Sequence, residues 1–199
     1  MSLWPSLLLA LGRHEGDALL FMADRIRSGD PDNIEAQAAR RYWPALMGAE
    51  FRRDREVEGA NALLNYGYTI MRSVVARAVI AAGLHPTIGL HHANRLNAFA
   101  LADDLVEPFR PLVDAVVRQM LDEGVLGVDR EAKARLAALI SADVELAGAT
   151  SPVSIAAQRL AQSLAASFES GALSLALFNT PQPLAWSAIA RHVPGGATE

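Results

Sequence analysis

The chain contains no cysteine. That excludes disulfides and thiolate metal sites, and makes a reducing, cytoplasmic setting the expected home. Aromatic residues make up 6% of the sequence and β-branched runs are short, so the composition gives little support to an extensive sheet. Alanine and leucine dominate instead, which favours helices. Export and membrane signals are lacking too. The apolar opening "LWPSLLLALG" has no basic segment before it. "SVVARAVIAAG" is interrupted by Arg77 and falls far short of the roughly 20 residues that a spanning helix needs. There is no internal repeat and no low-complexity linker. With 199 residues, 51% of them hydrophobic and 20% charged, the expectation is a single all-α domain over 1–199 with one proper core.

What is present is charge of an uneven kind. A net charge of −4 argues against a protein that merely coats nucleic acid. Yet twelve of the eighteen basic residues precede residue 111, and Arg40, Arg41, Arg52, Arg53 and Arg55 fall within sixteen positions. A cluster of this sort builds either a phosphate-binding face or a set of solvated helix ends.

The helices announce themselves by their punctuation. Asp30 followed by Pro31 predicts an N-cap and first helical position, with Asp32 and Glu35 as an alternative capping box, and Pro44 and Gly48 as the stop near Trp43. A long helix is expected over 57–82, with Leu63, Tyr66, Ile70, Val74 and Val75 as its buried stripe and Gly83 as its C-cap. Pro86 and Gly89 then shape a loop carrying His85, His91 and His92. A second long helix starts near Leu96 and must bend or split at Pro108 and Pro111. Further helices are expected over 129–147 and 152–170, the latter capped by Ser151 with Pro152 at its first position.

One constellation could carry chemistry. Asp104 and Glu107 are three residues apart, which puts both carboxylates on one helix face beside the core positions Leu101, Leu105, Leu112 and Val116. Two like charges raise one another's pKa unless a cation lies between them. They form either a solvated edge or, with a loop imidazole and a carboxylate from another helix, a hard site suited to Mn²⁺ or Mg²⁺. Glu35 on its own is equally well read as the back-reaching member of a capping box.

The stretches "EAQAARRYW", "NALLNYGY", "GLHPTIGLHH" and "DLVEPFRP", in that order, closely resemble the CRISPR-associated spacer integrases, the first-numbered Cas proteins, in the form found with a single large RNA-guided effector. The resemblance covers about 20–175, leaving 176–199 as a tail. It implies a metal site made by Glu35, His92 and Glu107, with Asp104 as an auxiliary acid. His92 is preferred to His91 because the family histidine lies fifteen residues before the glutamate of Glu-Pro-Phe-Arg. The implied activity is Mn²⁺- or Mg²⁺-dependent DNA cleavage and strand transfer, inserting short DNA fragments as spacers into a repeat array. The implied partners are double-stranded DNA, a second copy of the chain in a homodimer, and the second-numbered Cas protein, with no membrane. Arg40, Arg41, Arg53 and Arg95 are the candidate phosphate contacts. The family's N-terminal β-rich domain is missing from this sequence, so the expectation is a helical catalytic domain alone. Two rivals remain: a catalytically weak remnant that only binds DNA or a partner, and an unrelated helical metallohydrolase, which would need a closed pocket rather than an open basic groove.

Overall fold

The computed structural model describes residues 3–27, 29–91, 96–146 and 149–177. Among the described residues there are eight α-helices: α1 (Leu3–Ala10), α2 (Glu15–Ala23), α3 (Ile34–Met47), α4 (Ala60–Ala81), α5 (Ala100–Val106), α6 (Arg110–Asp122), α7 (Arg130–Ala138) and α8 (Val153–Ser170). A two-stranded antiparallel hairpin, β1 (Asp143–Leu146) and β2 (Ala149–Pro152), precedes α8. The all-α expectation therefore holds for the body of the domain, with this small sheet added to it.

The 22-residue α4 is the axis. It packs against α5, α6, α7 and α8, while α1, α2 and α3 form a second group joined to the first by contact of α1 with α6 and by a hydrogen bond from Tyr42 on α3 to Asp114 on α6. On α4, Leu63, Val74 and Val75 are buried as their spacing requires, and Leu64, Tyr68 and Met71 complete the inward stripe. Tyr66 and Ile70 sit at its border, half-buried against the core. Leu101, Leu105, Leu112 and Val116 are all buried. Gly67 marks a close approach of α4 to α6, where an added methyl would collide with the Val113 side chain.

Several boundaries differ from the sequence expectation, each for a local reason. The helix carrying Glu35 begins at Ile34 and runs past Pro44 to Met47, where Gly48 ends it at φ +111°. Pro44 is one turn from that end, so its missing donor and ring clash affect little of the helix. The start is not capped by Asn33, which is left-handed at φ +53°. Asp30 instead reaches forward, its carboxylate accepting from the amides of Ile34 at 2.8 Å and Glu35 at 2.9 Å. The Asp32–Glu35 capping box does not form, because Asp30 already takes the Glu35 amide, and Asp32 pairs with Arg27 at 2.7 Å instead. The proline-rich segment splits as anticipated, with a 3₁₀ turn over Glu107–Phe109 between α5 and α6. The helix expected over 129–147 stops at Ala138, and after a 3₁₀ turn the chain becomes β1. Ser151 accordingly pairs with Val144 in the hairpin rather than capping α8. Gly83, left-handed at φ +77°, follows α4 in the C-terminal role expected of it.

Candidate nucleic-acid cleft and the acids around it

Residues 52–55 would be an irregular strap if α4 did not sew it down. Asn61, almost fully buried, accepts from Arg53 Nη1 at 2.8 Å and from the Asp54 amide at 2.9 Å, and donates to the Arg52 carbonyl at 3.0 Å. One turn later, Asn65 accepts from Arg53 Nη2 at 2.6 Å and donates to the Arg55 carbonyl at 2.9 Å. Two asparagines at four-residue spacing thus fix an arginine strap along one helix face.

The strap forms one wall of a cleft of about 630 Å³. Arg53 and Arg55 come from the strap, Tyr68 and Arg72 from α4, Asp103 from α5, and Glu107 and Arg110 from the turn into α6. Four arginines therefore face one hollow, and each acid on its wall has a cationic neighbour. Arg72 grips Asp103 with two bonds, Nε to Oδ1 at 2.5 Å and Nη2 to Oδ2 at 2.9 Å, and lies over the Phe99 ring. Arg110 Nη1 donates to Glu107 Oε1 at 2.7 Å. Beside the cleft, Arg40, Trp43, Phe51, Arg52 and Arg53 line a second open groove of about 720 Å³, so Arg53 belongs to both.

The sequence singled out Asp104 with Glu107. It is Asp103, four residues before Glu107, that shares the cleft wall with it. Asp104 turns to the histidine loop, where its Oδ2 accepts from the amides of Leu90 at 2.6 Å and His91 at 3.1 Å. This fixes the backbone immediately before position 92. His92 and Arg95 lie outside the described residues. Glu35 stands exposed in the first turn of α3 and does not line the cleft that holds Glu107. Among the described residues, no three His, Asp or Glu side chains converge so as to hold a metal ion. Arg40 and Arg41 are exposed on α3, and Arg53 is half-buried in the strap.

Beneath the cleft lies a group that sequence reasoning passed over. Asp114 on α6 is fully buried. Its Oδ2 accepts from the Tyr42 hydroxyl at 2.6 Å, and its Oδ1 accepts from the Tyr68 hydroxyl. Burial pushes the Asp114 carboxyl up to about 7, against the opposing pull of the two hydroxyls, Arg110 and Arg53. Both phenols are in turn held well above their ordinary value, first by burial and then by the Asp114 charge. Tyr42 stacks on Trp4, with ring centroids 4.5 Å apart. Tyr68 instead presents its ring to the cleft, where Arg110 and Arg53 lie 4.6 and 5.6 Å from its centroid. The available signal in the sequence was an acid set among Leu112, Val113, Val116 and Val117, with tyrosines in two of the family-like motifs.

A family model described as CRISPR associated protein Cas1 matches residues 31–142, more than half of the chain. The chain belongs to the Cas1 family. A CRISPR-associated endonuclease Cas1 from Neisseria meningitidis is 46% identical over 105 residues, covering 53% of this chain and 34% of that protein. The second Cas1 endonuclease of Pyrobaculum aerophilum is 36% identical over 139 residues, covering 66% and 46%. The chain thus spans between about a third and a half of the length of these relatives. A solved structure of a casposase bound to integration product shares the fold, with a TM-score of 0.64 over 77% of this chain and 54% of that one, at 23% identity. The matched region includes Glu35, the histidine loop, the arginine strap and the Glu107 turn. No described helix is long and apolar enough to cross a membrane.

Proposed function

We propose that this chain is the helical catalytic domain of a metal-dependent DNA endonuclease and integrase of CRISPR adaptation. The observation that carries the reading is the arginine-lined cleft, with Glu107 at its wall and the Asp104-clamped histidine loop alongside it. Arg53, Arg55, Arg72 and Arg110 supply the positive field that draws in a phosphodiester backbone, and Arg40 extends that field along the neighbouring groove. The cleft is open and polar, which suits a polymeric anion better than an enclosed small molecule.

The donor chemistry of Glu35, His92 and Glu107, two carboxylates and an imidazole, fits Mn²⁺ or Mg²⁺. Bound there, the metal would polarise a phosphoryl oxygen and stabilise charge on the leaving oxygen. The chain's own residues do the rest. Asp104 fixes the backbone entering His92, Arg110 orients the Glu107 carboxylate, and Asn61 with Asn65 keeps Arg53 aimed at the cleft. In this reading the substrate is double-stranded DNA. The working assembly is a cytoplasmic homodimer with the second-numbered Cas protein, which holds two sites at a fixed separation.

The rival reading is a DNA- or partner-binding remnant without catalysis, favoured by the position of Glu35, which is exposed on α3 and does not line the cleft that holds Glu107. Titration with Mn²⁺ discriminates. The catalytic reading expects saturable binding that is lost in Glu107→Ala, and the remnant reading expects none. Incubated with the partner protein, Mn²⁺, a short duplex and a repeat-bearing plasmid, the 199-residue chain is expected to give feeble nuclease activity and no site-specific integration, since lost positioning removes much of the rate. Half-site products at the repeat boundary, formed at the rate of a full-length enzyme, would contradict that expectation.

A further inference from the structure

Tyr68 joins two environments. Its hydroxyl enters the dry core and donates to Asp114, while its ring forms the floor of the cleft under two guanidinium groups. Asp114 cannot itself touch anything in the cleft, because it is fully buried on the far side of that ring. Nor is it needed to balance the core. A carboxylate in such a place is costly, and an apolar side chain of similar volume would have filled it without that cost. The tyrosine hydroxyls that bond it come from α3 and α4, so the acid ties three helices together at one point.

We propose that Asp114, acting through Tyr68, is the positioning residue for the Arg53–Arg110 pair that receives DNA phosphate in the cleft. The bond from the Tyr68 hydroxyl to Asp114 Oδ1 fixes the depth and tilt of the ring. Arg110 and Arg53 lie against that ring, and Arg53 is further held by Asn61 and Asn65. Arg110 is steered from two directions, by the ring beneath it and by Glu107 beside it. Two guanidinium groups side by side repel each other, and burial together with Arg110 lowers the pKa of Arg53. Holding them as a pair therefore needs a fixed aromatic face and a negative charge behind it. Above pH 7 the buried carboxylate supplies the charge, and at any pH the tyrosine supplies the face. Since the phosphate must replace water around both groups at once, a preset geometry removes an ordering cost from binding.

This inference rests on the DNA reading of the cleft, and the test separates the two. Binding of the 199-residue chain to a short fluorescent DNA duplex at pH 8 is followed by anisotropy across a salt series, for wild type, Tyr68→Phe, Asp114→Asn and Arg53→Ala/Arg110→Ala. The arginine pair variant is expected to weaken binding and flatten the dependence of log affinity on log salt by about one to two contacts. Tyr68→Phe keeps the ring and loses only its anchor, and is expected to weaken binding about threefold or more. Asp114→Asn is the sharper variant. Removing a negative charge beneath two arginines would by itself tighten DNA binding, so weaker binding there reports lost positioning. Adding Tyr68→Phe to the arginine pair variant should change nothing further, as expected when both substitutions act through one contact. Wild-type affinity and salt slope in Tyr68→Phe, or tighter binding in Asp114→Asn, overturn the positioning role while leaving the DNA cleft standing. Wild-type binding in the arginine pair variant overturns the DNA reading and this inference together. Should Asp114→Asn fail to fold, Tyr68→Phe carries the test unaided.

Discussion

The wall of the cleft and its floor handle the same chemical problem in opposite ways. On the wall, Asp103 and Glu107 are partly solvated and each is matched directly to a guanidinium. On the floor, Asp114 is sealed from water and has two tyrosine hydroxyls as its direct partners, the arginines acting from beyond the Tyr68 ring. A wet acid keeps its charge at little cost and can be shared with an incoming cation. A dry acid holds its position firmly but ionises with difficulty. The wall is therefore built for exchange of ligands and the floor for geometry. That division says where substitutions should cost activity and where they should cost stability.

The largest expected effect lies on the wet side. In a chain spanning the full length of the relatives, Glu107→Ala, Glu35→Ala or His92→Ala should abolish Mn²⁺-dependent DNA cleavage and strand transfer, while helicity and melting stay near wild type. The check is a plasmid-nicking assay run beside circular dichroism melting. A variant that keeps wild-type activity removes that residue from the ligand set, and a variant that loses activity by unfolding breaks the distinction between wall and floor.

The floor should announce itself through pH. With the folded carboxyl of Asp114 near 7 and an unfolded aspartate near 3.9, the native state retains a proton that the unfolded chain has already released across that window. Its contribution therefore makes the protein less stable as pH rises from about 4 to about 7, and levels off above. The full span is on the order of 4 kcal/mol. Chemical denaturation of wild type and Asp114→Asn at pH 5, 6, 7 and 8 isolates it as a difference curve. Wild type should lose ground to the variant as pH rises, and a flat difference would mean that Asp114 titrates as an ordinary solvated acid.

How much of this was readable in advance follows the same line between wet and dry. The long helices, the proline split after α5 and Gly83 as a terminator are local features, and periodicity with capping chemistry gives them directly. The hairpin at 143–152 was missed because "SADVELAGATSP" is short and rich in alanine, and the alternation of Val144 and Leu146 spans too few residues to outweigh the helical pattern before it. The choice of Asp104 over Asp103 as the cleft partner of Glu107 rested on its i,i+3 spacing and on the family resemblance. Neighbours at i,i+4 share a helix face as readily as those at i,i+3, so spacing could not choose between the two acids, and the Leu90 and His91 amides that draw Asp104 away lie on a distant loop. Glu35, His92 and Glu107 entered through resemblance to a family, not through spacing. Asp114 was out of reach for another reason: its partners Tyr42 and Tyr68 lie 72 and 46 residues away on other helices. Periodicity shows that α6 buries that face, but not what waits on the other side.

Tyr42→Phe sharpens the contrast at a smaller scale. The ring would keep its stack on Trp4, while Asp114 Oδ2 would lose its donor inside the core. At pH 8, with the carboxylate ionised, the expected loss is about 2 kcal/mol, the range for hydrogen bonds to a charged group. At pH 5.5 the neutral carboxyl has less to lose and the cost should shrink. A cost that is equal at both pH values would assign Tyr42 to packing rather than to the charge.

The smallest effects belong to the ion pairs themselves, and they grade with solvent. Arg72–Asp103 is partly covered, with side chains 40% and 24% exposed, and its two-bond geometry is supported by Asn97 at 2.7 Å and the Phe99 ring. Arg27–Asp32 is of similar length but 68% and 55% exposed. Screening by water discounts both, the second almost entirely. Asp103→Asn should therefore cost about 1 kcal/mol and Asp32→Asn a few tenths at most, with the difference narrowing in high salt. Denaturant midpoints at low and high salt measure it. If the two variants cost the same, the cleft wall is as wet as any outer surface, and the fixed angle of Arg72 must come from its place on α4 rather than from Asp103.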